Sequence, residues 1–366
     1  MRTVRRRNAV GLRIAIDARL AWRGLGIATY VEELTRALAE RADVEEVVLV
    51  GSTRGAAARG PKIRSAHAAV PAALLHTSIG GRVLARLGVD VVHFAGNVGP
   101  ARSYVVPHVL TVHDAIFLDA PGATLRQRLG RAYLRRVVPR AAAAAPVVVA
   151  VSPTGADDAR RLGARAAAIR VIPHGVPRRR PAAGPTGRHV LLFAARDPRK
   201  GTAVALRAWA NAVERLPADV ELVVLCAAGL GTSEAALASA TPHVRRVGRL
   251  SRSDLDDLVG AALALVHTST AEGFGLPVLE AITAGVPVVG GYAPSVRWIA
   301  ADALLATEPG DDRALADALV RLIRDGSLRA DLALRGRRRA AEFSWERSAA
   351  AHVAAYRAAL AAPPTP

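Results

Sequence analysis

His267 to Gly290 reads HTSTAEGFGLPVLEAITAGVPVVG and predicts a strand end, a glycine turn and a helix. Two carboxylates, Glu272 and Glu280, are separated by seven residues that include the turn GFGLP at 273–277. The proline of that turn suits the first turn of a helix, where its missing N–H costs nothing, and Gly285 ends the helical pattern. Glu272 is therefore predicted in the loop before the helix, and Glu280 about one turn inside it.

This arrangement predicts a site for a phosphate flanked by hydroxyl groups. Glycines let backbone N–H groups approach a bound group, and the N-terminus of a helix carries roughly half a positive charge. Together they favour a phosphate. Carboxylates on both sides of a phosphate site accept hydrogen bonds from hydroxyls, so the predicted ligand has hydroxyls at both ends of a diphosphate. A nucleotide sugar fits this description, with Glu280 on the ribose and Glu272 on the transferred sugar.

Residues 272–289, EGFGLPVLEAITAGVPVV, resemble the donor-site motif of the retaining family 4 glycosyltransferases, the group 1 enzymes, including its two glutamates. The resemblance implies the GT-B fold, an α/β architecture in which two doubly wound, Rossmann-like domains face a cleft and a C-terminal helix crosses back to the first domain. The alternative, an ordinary helix with solvated glutamates, requires several motif positions to agree by accident. The resemblance implies that Glu272 is catalytic and that the donor is bound by Gly273, Phe274, Gly275, Leu276 and Glu280.

The composition sets limits on size, cores and partners. A chain of 366 residues has room for two domains, and 51% hydrophobic with only 4% aromatic residues predicts cores of Ala, Val and Leu. The net charge of +19 comes almost wholly from arginine, since Lys62 and Lys200 are the only lysines. An acidic partner is one interpretation, and an anionic membrane fits best because many enzymes of the resembled family act on lipid-linked acceptors. Nucleic acid is not favoured, because charge alone is a weak argument for it.

Cysteine usage and hydropathy bear on the compartment. Cys226 is the only cysteine, so no disulfide can form within the chain, which fits a cytoplasmic enzyme. No apolar run is long enough to predict a transmembrane helix. The arginines near the N-terminus precede an apolar run that Asp17 interrupts, so residues 1–11 are interpreted as a basic disordered tail and not as a signal peptide. Peripheral contact with the inner face of the membrane is an open alternative.

The first domain is predicted over residues 12–172. Its opening run, Leu12 to Asp17, predicts a buried strand and is followed by a loop with Gly24 and Gly26 and then by a helical pattern. The loop has two of the three glycines of a dinucleotide-binding fingerprint, and a plain tight turn is an equal alternative. The resemblance implies that Gly24 and Gly26 face the donor phosphates and the acceptor.

Two later strands of this domain lead to polar side chains. DVVHF at 90–94 carries His93 and is followed by Asn97, and VLTVHD at 109–114 ends in His113 and Asp114. Ligands gather at the carboxyl ends of strands in open α/β sheets, so all four are candidates, although a structural role is favoured for His93. The resemblance implies that His113 reaches the donor sugar, while Asp114 orients it or binds the acceptor.

A strongly basic helix is predicted at 125–138, between the second of these strands and the next apolar run. Solvent is the default environment for its arginines, and acidic lipid head groups are the alternative. The arginines concerned are Arg126, Arg128, Arg131, Arg135 and Arg136.

The prolines and glycines of 173–188, PHGVPRRRPAAGPTGR, predict the interdomain linker. A second domain is predicted over 189–342, a terminal helix at 343–361 that packs on the first domain, and a tail at 362–366. The second domain opens with a strand and the turn RDPRKG at 196–201. The resemblance implies that Lys200, a catalytic residue, and Arg196 neutralise the donor diphosphate, with Arg199 as a substitute for Arg196. A solvated basic turn is the alternative.

One departure from the family pattern concerns the choice of donor. Family members have Pro-Glu-Val near the start of a short helix after the next strand, and here the matching place is interpreted as Arg297-Trp298-Ile299.

These features predict a retaining hexosyltransferase. Its donor is a nucleotide diphosphate sugar, with GDP-mannose favoured and a UDP-sugar next, and its acceptor is a hydroxyl of a glycan, a lipid-linked molecule or a small molecule. The sequence has no cluster of metal ligands and no Asp-x-Asp motif, so basic side chains are expected in place of a metal ion, with no cofactor. The alternatives are a sugar-nucleotide epimerase or hydrolase on the same fold, and a non-catalytic protein that binds an anionic surface or nucleic acid.

Overall fold

The computed structural model describes residues 11–19, 26–51, 59–66, 74–102, 104–119, 125–176 and 187–363. The chain divides into two compact units: unit 1 is Met1–Gly175 with Ser344–Pro366, and unit 2 is Val176–Phe343. The boundary after Gly175 lies three residues beyond the predicted start of the linker, and Phe343 belongs to unit 2. Some predictions lie outside the described residues. They concern most of the N-terminal tail (1–10), Gly24, most of the linker (177–186) and the last residues (364–366).

The described residues of unit 1 form a parallel sheet of seven strands in the order β3-β2-β1-β4-β5-β6-β7. Its strands are near-continuous apolar runs, as expected where helices cover both faces of a parallel sheet. The strand order reverses between β1 and β4, which is where doubly wound sheets bind ligands. The strands are β1 (Leu12–Asp17), β2 (Val44–Val50), β3 (Ile63–Ser65), β4 (Val91–Phe94), β5 (His108–Val112), β6 (Val147–Ala150) and β7 (Ile169–Val171).

The described residues of unit 2 form a second parallel sheet, of six strands, in the order β10-β9-β8-β11-β12-β13. Here the order reverses between β8 and β11, so the loops that follow these two strands leave the same edge of the sheet. The strands are β8 (His189–Phe193), β9 (Glu221–Leu225), β10 (Val244–Val247), β11 (Ala264–His267), β12 (Val288–Gly290) and β13 (Leu304–Ala306).

Helices connect the strands, and several begin at a side chain that accepts a backbone N–H hydrogen bond. Ser152, Ser251 and Ser344 cap three of them in this way. In unit 1 the helices are α1 (Gly26–Ala39), α2 (Ser78–Arg86), α3 (Ile116–Asp119), α4 (Leu125–Ala144) and α5 (Pro153–Arg161). In unit 2 they are α6 (Thr202–Ala212), α7 (Thr232–Ala240), α8 (Arg252–Ala261), α9 (Leu276–Ala284), α10 (Pro294–Ala300), α11 (Asp312–Arg324) and α12 (Gly326–Ala340). The last helix, α13 (Trp345–Ala361), belongs to unit 1, and short 3-10 turns lie at Ala166–Ala168, Pro198–Lys200, Val213–Arg215 and Ala301–Ala303.

The basic helix α4 is longer than predicted. It continues through Pro139 to Ala144 although proline removes a hydrogen bond from a helix interior. Val138, Ala141 and Ala142 are buried on both sides of the proline, so packing of this end of the helix overrides the local preference.

The last helix covers α1 and the middle of the unit 1 sheet. Leu34 and Leu38 of α1 share one core with Val353, Tyr356 and Ala359 of α13, although more than 300 residues separate the two helices. The polypeptide of unit 1 therefore leaves at Gly175 and returns at Ser344 to complete its own core.

A chain of buried polar side chains runs through this core. Tyr30 Oη lies 2.8 Å from His352 Nε2 and 2.9 Å from Thr111 Oγ1. His93 Nε2 lies 2.7 Å from Thr111 Oγ1, and His93 Nδ1 lies 2.9 Å from Tyr356 Oη. His352 Nδ1 lies 2.7 Å from the carbonyl of its own helix at position 348, so that nitrogen carries the hydrogen.

Because the His352 hydrogen lies on Nδ1, the donor and the acceptor of every other hydrogen bond in this row of polar side chains are determined. His352 Nε2 must accept from Tyr30, whose oxygen then accepts from Thr111, and Thr111 accepts from His93 Nε2–H. His93 Nδ1 is left to accept from Tyr356. Each group is satisfied only while both imidazoles are neutral, because a protonated histidine has no acceptor. Burial lowers the pKa of His352 to about 4 and that of His93 well below its usual value.

Unit 2 has an apolar interior built around one tryptophan. Trp209 of α6 is fully buried, and its Nε1 donates to the carbonyl of Pro242 at 3.1 Å. Leu206 on the same helix and Leu315 and Leu319 of α11 pack in the same core. Aliphatic side chains and one large ring thus hold these helices on the sheet.

Candidate active site

The loops after β8 and β11 are tied together by backbone contacts. Thr268 Oγ1 donates to the carbonyls of Lys200 and Gly201, at 2.8 and 3.1 Å, and Thr270 N donates to the carbonyl of Arg199 at 2.9 Å. Gly201 has φ +63°, and a Cβ there would lie 2.5 Å from the Thr268 carbonyl. A glycine is therefore required for this close approach, which brings Lys200 to the end of β11.

Lys200 and Glu272, which are 72 residues apart, form an ion pair at this edge. Lys200 Nζ donates to Glu272 Oε1 at 2.6 Å, and His267 Nε2 lies 3.5 Å from the same oxygen. Burial alone would raise the pKa of Glu272, but His267 and Lys200 outweigh it and lower the pKa to about 2. Glu272 is thus a carboxylate at neutral pH, ready to accept hydrogen bonds from hydroxyls.

The glycine turn that follows is shaped by close packing. Gly275 has φ +122°, and a Cβ there would lie 3.0 Å from Val296 Cγ2, so the turn requires glycine at this position. Helix α9 begins at Leu276, one residue before the predicted start, with Pro277 in its first turn. Ser295 Oγ donates to the carbonyl of Glu272 at 2.9 Å and holds the turn from behind.

Phe274 differs from the expectation that it binds the donor. Its side chain is only 5% exposed and packs edge-on against Trp298 and Phe343, with ring centroids 6.4 and 6.2 Å away. A contact between this residue and a donor would therefore use the backbone, as it would for Gly273 and Gly275.

The second glutamate has a partner that sequence reasoning missed. Glu280 is 6% exposed, and its Oε1 lies 3.2 Å from Arg252 Nη2. Arg252 is the first residue of α8, directly after the cap Ser251, where a positive charge opposes the helix dipole. That unfavourable placement is the sequence signal that could have indicated a specific acidic partner.

The basic turn before α6 uses its cations unequally. Arg199 is held within the turn, since its Nε donates to Asp197 Oδ1 at 3.1 Å and its Nη2 to the other carboxylate oxygen. Arg196 is exposed and lies close to Gly229. The structure therefore brings Lys200 to Glu272 but does not bring Arg199 there, and the role of Arg196 stays a prediction.

In unit 1, His113 and Asn97 come together at the end of β5. Asn97 clamps the backbone, because its Oδ1 accepts from His113 N at 2.8 Å and its Nδ2 donates to the Asp114 carbonyl at 2.9 Å. The His113 ring is 8% exposed, and its Nε2 donates to the carbonyl of Ala95 at 2.8 Å. Burial lowers the pKa of His113 to about 4, so the ring is neutral near pH 7. It can accept a hydrogen bond through Nδ1.

Two of the remaining unit 1 candidates make contacts within unit 1, and the predicted role of Asp114 stays a prediction. Asp114 Oδ1 accepts from the N–H of Ile116 at 3.1 Å and begins the short helix α3. His93 has the structural role favoured from the sequence: it is fully buried, and both ring nitrogens are hydrogen-bonded in the polar chain under α13. Gly26 is the exposed first residue of α1, and its predicted contact with phosphates stays a prediction.

The placement of the departure from the Pro-Glu-Val pattern is also wrong. The short helix after β12 is α10, and it begins with Pro294-Ser295-Val296. Ser295 therefore takes the place of the glutamate, and Arg297 to Ile299 lie one turn further along the helix. Ser295 is fully buried and holds the Glu272 backbone, so the departure bears on the donor turn.

A cleft of about 580 Å³ lies along β10 and reaches the carboxyl end of β9. Its lining includes Cys226, Gly229, Leu230, Val247 and Gly248. Among the described residues, no group of three or more His, Cys, Asp or Glu side chains could hold a metal ion, and metal independence stays a prediction. Within the described ranges, every helix is too short or too polar to cross a membrane.

Two doubly wound parallel sheets, the second with paired glutamates around a glycine turn, define the class of GT-B glycosyltransferases. A model described as "Glycosyl transferases group 1" matches residues 178–339, and one described as "Glycosyltransferase Family 4" matches residues 25–180. The MMP alpha-(1->4)-mannosyltransferase of Mycolicibacterium hassiacum is 31% identical over 304 residues, 76% of this chain and 74% of that protein. The chain therefore belongs to family 4 of the glycosyltransferases, the group 1 enzymes.

Another relative is matched over a smaller share of its length, and the similarity to a solved structure shows the fold alone. The O-antigen chain mannosyltransferase B of Escherichia coli is 37% identical over 114 residues, which are 31% of this chain and 30% of that protein. The chain thus spans less than a third of that relative. The solved sucrose-phosphate synthase of Thermosynechococcus elongatus has a TM-score of 0.71 at 20% identity, over 94% of this chain and 98% of that one. The GT-B fold expected from the sequence is confirmed.

Proposed function

We propose that this protein transfers a hexose from a nucleotide diphosphate sugar to a hydroxyl group, with retention of the anomeric configuration. The observation that carries the proposal is the ion pair of Lys200 and Glu272 beside the N-terminus of α9. A cation, a carboxylate of low pKa and the N-terminus of a helix lie within one unit, on the connections that follow β8 and β11. This set matches the charge and hydroxyl pattern of the donor.

Each group has one task in the proposed reaction. The bond between the sugar C1 and the diphosphate oxygen breaks while the acceptor oxygen bonds to C1 on the same face, and the leaving phosphate takes the acceptor proton. Lys200 and the N–H groups at the start of α9 stabilise the charge that grows on the diphosphate. Glu272 accepts from the sugar hydroxyls, and Glu280, held by Arg252, accepts from the ribose hydroxyls.

For the donor we propose GDP-mannose, with a UDP-sugar as the alternative. Two relatives are named mannosyltransferases, which supports mannose as the transferred sugar. The cleft along β10 and at the end of β9 has a volume within the usual range of about 300–1,000 Å³ for ligand pockets, and we assign it to the nucleobase. A glycan, a lipid-linked molecule or a small molecule remains the proposed acceptor.

The donor is tested by a thermal-shift panel of GDP, UDP, ADP and their sugars, since a ligand bound only by the folded state raises the melting temperature. We expect the largest shift with GDP-mannose. Glu272→Gln is expected to lower transfer by about 100-fold or more, the usual effect of removing a group that acts on the transition state. The exposed Glu214→Gln is the matched control. Normal transfer by Glu272→Gln would overturn the site assignment.

The two other functions predict different results in the same assays. An epimerase or hydrolase consumes the donor when no acceptor is present. A non-catalytic binding protein ignores nucleotide sugars and binds polyanions with an affinity that falls steeply with salt. Donor consumption that requires an acceptor supports the transferase.

We also propose that α4 touches an anionic membrane. Its side chains Leu125, Leu129 and Tyr133 are 71%, 64% and 57% exposed and are spaced four residues apart, which places them on one face of the helix. Its exposed arginines supply the charge that anionic head groups attract. A lipid surface would bury the exposed apolar side chains and attract the arginines. It would also bring a lipid-linked acceptor to unit 1.

Vesicle sedimentation tests this contact. The protein is expected to sediment with vesicles of 30% phosphatidylglycerol in phosphatidylcholine and to stay in solution with phosphatidylcholine alone. Leu129→Glu should release it, whereas Leu334→Glu, at a 46% exposed position in unit 2, should not. Equal release by both variants would contradict a contact made by α4.

A further inference from the structure

His267 lies beside the proposed donor site, and its two ring nitrogens have different surroundings. It ends β11, it is 5% exposed, and its Nε2 lies 3.5 Å from Glu272 Oε1, the atom that Lys200 contacts. Its Nδ1 is buried and has no hydrogen-bond partner among the described residues. A buried polar atom without a partner is destabilising, so the other contact of this ring calls for an explanation.

The surroundings fix the tautomer of this histidine. A neutral imidazole carries one hydrogen, and Nε2 faces a carboxylate, which can only accept. In the neutral ring the hydrogen therefore lies on Nε2, and Nδ1 is an acceptor. An apolar ring of the same size would fill the space without burying a polar atom that has no hydrogen-bond partner. Packing alone therefore does not account for a histidine at the end of this strand.

In the proposed function Lys200 contacts two groups in turn, the Glu272 carboxylate and the donor diphosphate. In the empty site its ammonium contacts Glu272, and during transfer it neutralises the donor diphosphate. When Lys200 turns to the diphosphate, the Glu272 carboxylate loses its closest cation while it is only 15% exposed to water. His267 is fixed at the end of a buried strand and stays in place.

We propose that His267 is a positioning residue of the donor site, which holds the Glu272 carboxylate for the sugar hydroxyls once Lys200 has moved to the diphosphate. The inference rests on the proposed function, because it assigns Glu272 to the sugar. It predicts that His267 matters for a nucleotide sugar and not for the nucleotide alone, since only the sugar contacts Glu272.

Binding measurements separate this role from a general loss of structure. His267→Phe keeps a ring and removes both nitrogens, and we expect it to bind GDP-mannose about tenfold more weakly while its affinity for GDP is unchanged. His267→Gln, which can still donate to Glu272, should recover part of the loss. His189→Phe, at a buried histidine whose Nε2 contacts the Leu258 carbonyl, is the matched control and should alter both affinities equally. Equal changes for both ligands in His267→Phe would overturn the proposal, as would no change for either.

A second measurement requires no donor. The side-chain carboxyl carbon of Glu272 is titrated by NMR in the ligand-free protein. Since His267 helps to hold the pKa of Glu272 at about 2, His267→Phe should raise it. An unchanged titration overturns the inference whatever the donor is. If the wild-type protein binds no nucleotide sugar, the proposed function fails and the donor step fails with it, while the titration still decides whether His267 holds Glu272.

Discussion

Units 1 and 2 share one sheet topology but bury their polar side chains in different places. In unit 1 the buried polar groups Tyr30, His93 and His352 lie in the core, beneath the last helix. In unit 2 the corresponding interior is filled by Trp209 and aliphatic side chains, and His267 and Glu280 lie on either side of the donor turn. The same sheet topology thus buries polar groups beneath a distant helix in one unit and beside the proposed donor turn in the other.

The difference teaches what a polar core can specify. An apolar contact tolerates small shifts, whereas a chain of hydrogen bonds is satisfied in one arrangement only. Helix α13 returns to unit 1 after the whole of unit 2, and the bonds from Tyr356 and His352 fix its position on the sheet. Unit 2 is continuous in sequence and its core helices need no such device.

The largest expected effect is acid unfolding of unit 1 before unit 2. Burial lowers the pKa of His113 and His352 from 6.5 to about 4, so the unfolded chain binds protons first as the pH falls. Stability is full above pH 6.5 and is lost between 6.5 and about 4. At about 1.4 kcal/mol per pKa unit, each ring contributes on the order of 3 kcal/mol to the loss.

This prediction is checked by pulsed hydrogen exchange with mass spectrometry after equilibration at each pH. Peptides from α1 and α13 should lose protection at a higher pH than peptides from α6 and α11. The reverse order would break the comparison, because it would make unit 2 the acid-sensitive part.

The next effect tests the apolar core of unit 2. Trp209→Ala should lower the free energy of unfolding of unit 2 by about 3–5 kcal/mol, because it removes a fully buried ring and leaves a cavity. Urea unfolding followed by circular dichroism should then show two separate transitions. Trp209→Phe, which keeps most of the volume, is the control and should show a smaller separation. A single transition shifted as a whole would mean that the two cores are not independent.

A smaller effect is expected from the polar chain. Tyr356→Phe leaves His93 Nδ1 without its donor in a buried position, which should destabilise unit 1 by about 1–3 kcal/mol. Urea unfolding at pH 7 measures it, and Tyr133→Phe, at a 57% exposed ring in the same unit, is the control. If both variants unfold alike, the hydrogen-bond chain does not hold α13.

The smallest effect concerns an exposed ion pair that links α13 to the rest of unit 1. Arg357 Nη2 lies 2.9 Å from Asp43 Oδ2, with side-chain exposures of 59% and 29%. Arg357→Gln should change the stability of unit 1 by no more than about 1 kcal/mol, since exposed ion pairs contribute little. The measurement is the same urea titration. A loss larger than that of Tyr356→Phe would show that charge, and not the buried bonds, fixes α13.

Much of the fold could be predicted because parallel strands are apolar runs. Strand β1 has the predicted bounds, and α13 joins the first unit. Strand β3 was missed because its three residues, Ile-Arg-Ser, are partly exposed and form an edge. Helix α7 was missed because its sequence has almost no apolar face, and only Ala238 is buried in it.

The candidate site also has features that could be predicted from the sequence and features that could not. The assignment of Lys200 and Glu272 to one site follows from the family resemblance, whereas the contacts of His267 and Arg252 with the two glutamates depend on how loops meet. No local pattern encodes such a meeting. A structural role was favoured for His93, but its partner could not be predicted, since α13 lies about 260 residues further along the chain.

The return of the chain at Ser344 also orders events on the ribosome. Tyr30, Leu34 and Leu38 of α1 are synthesised early, but the helix that covers them emerges after all of unit 2. At roughly 5–20 residues per second, this face waits for roughly 15–60 s, during which unit 2 can fold alone. A nascent chain of this protein therefore leaves this apolar face of α1 uncovered by α13 for most of its synthesis, and we expect chaperones to bind it there.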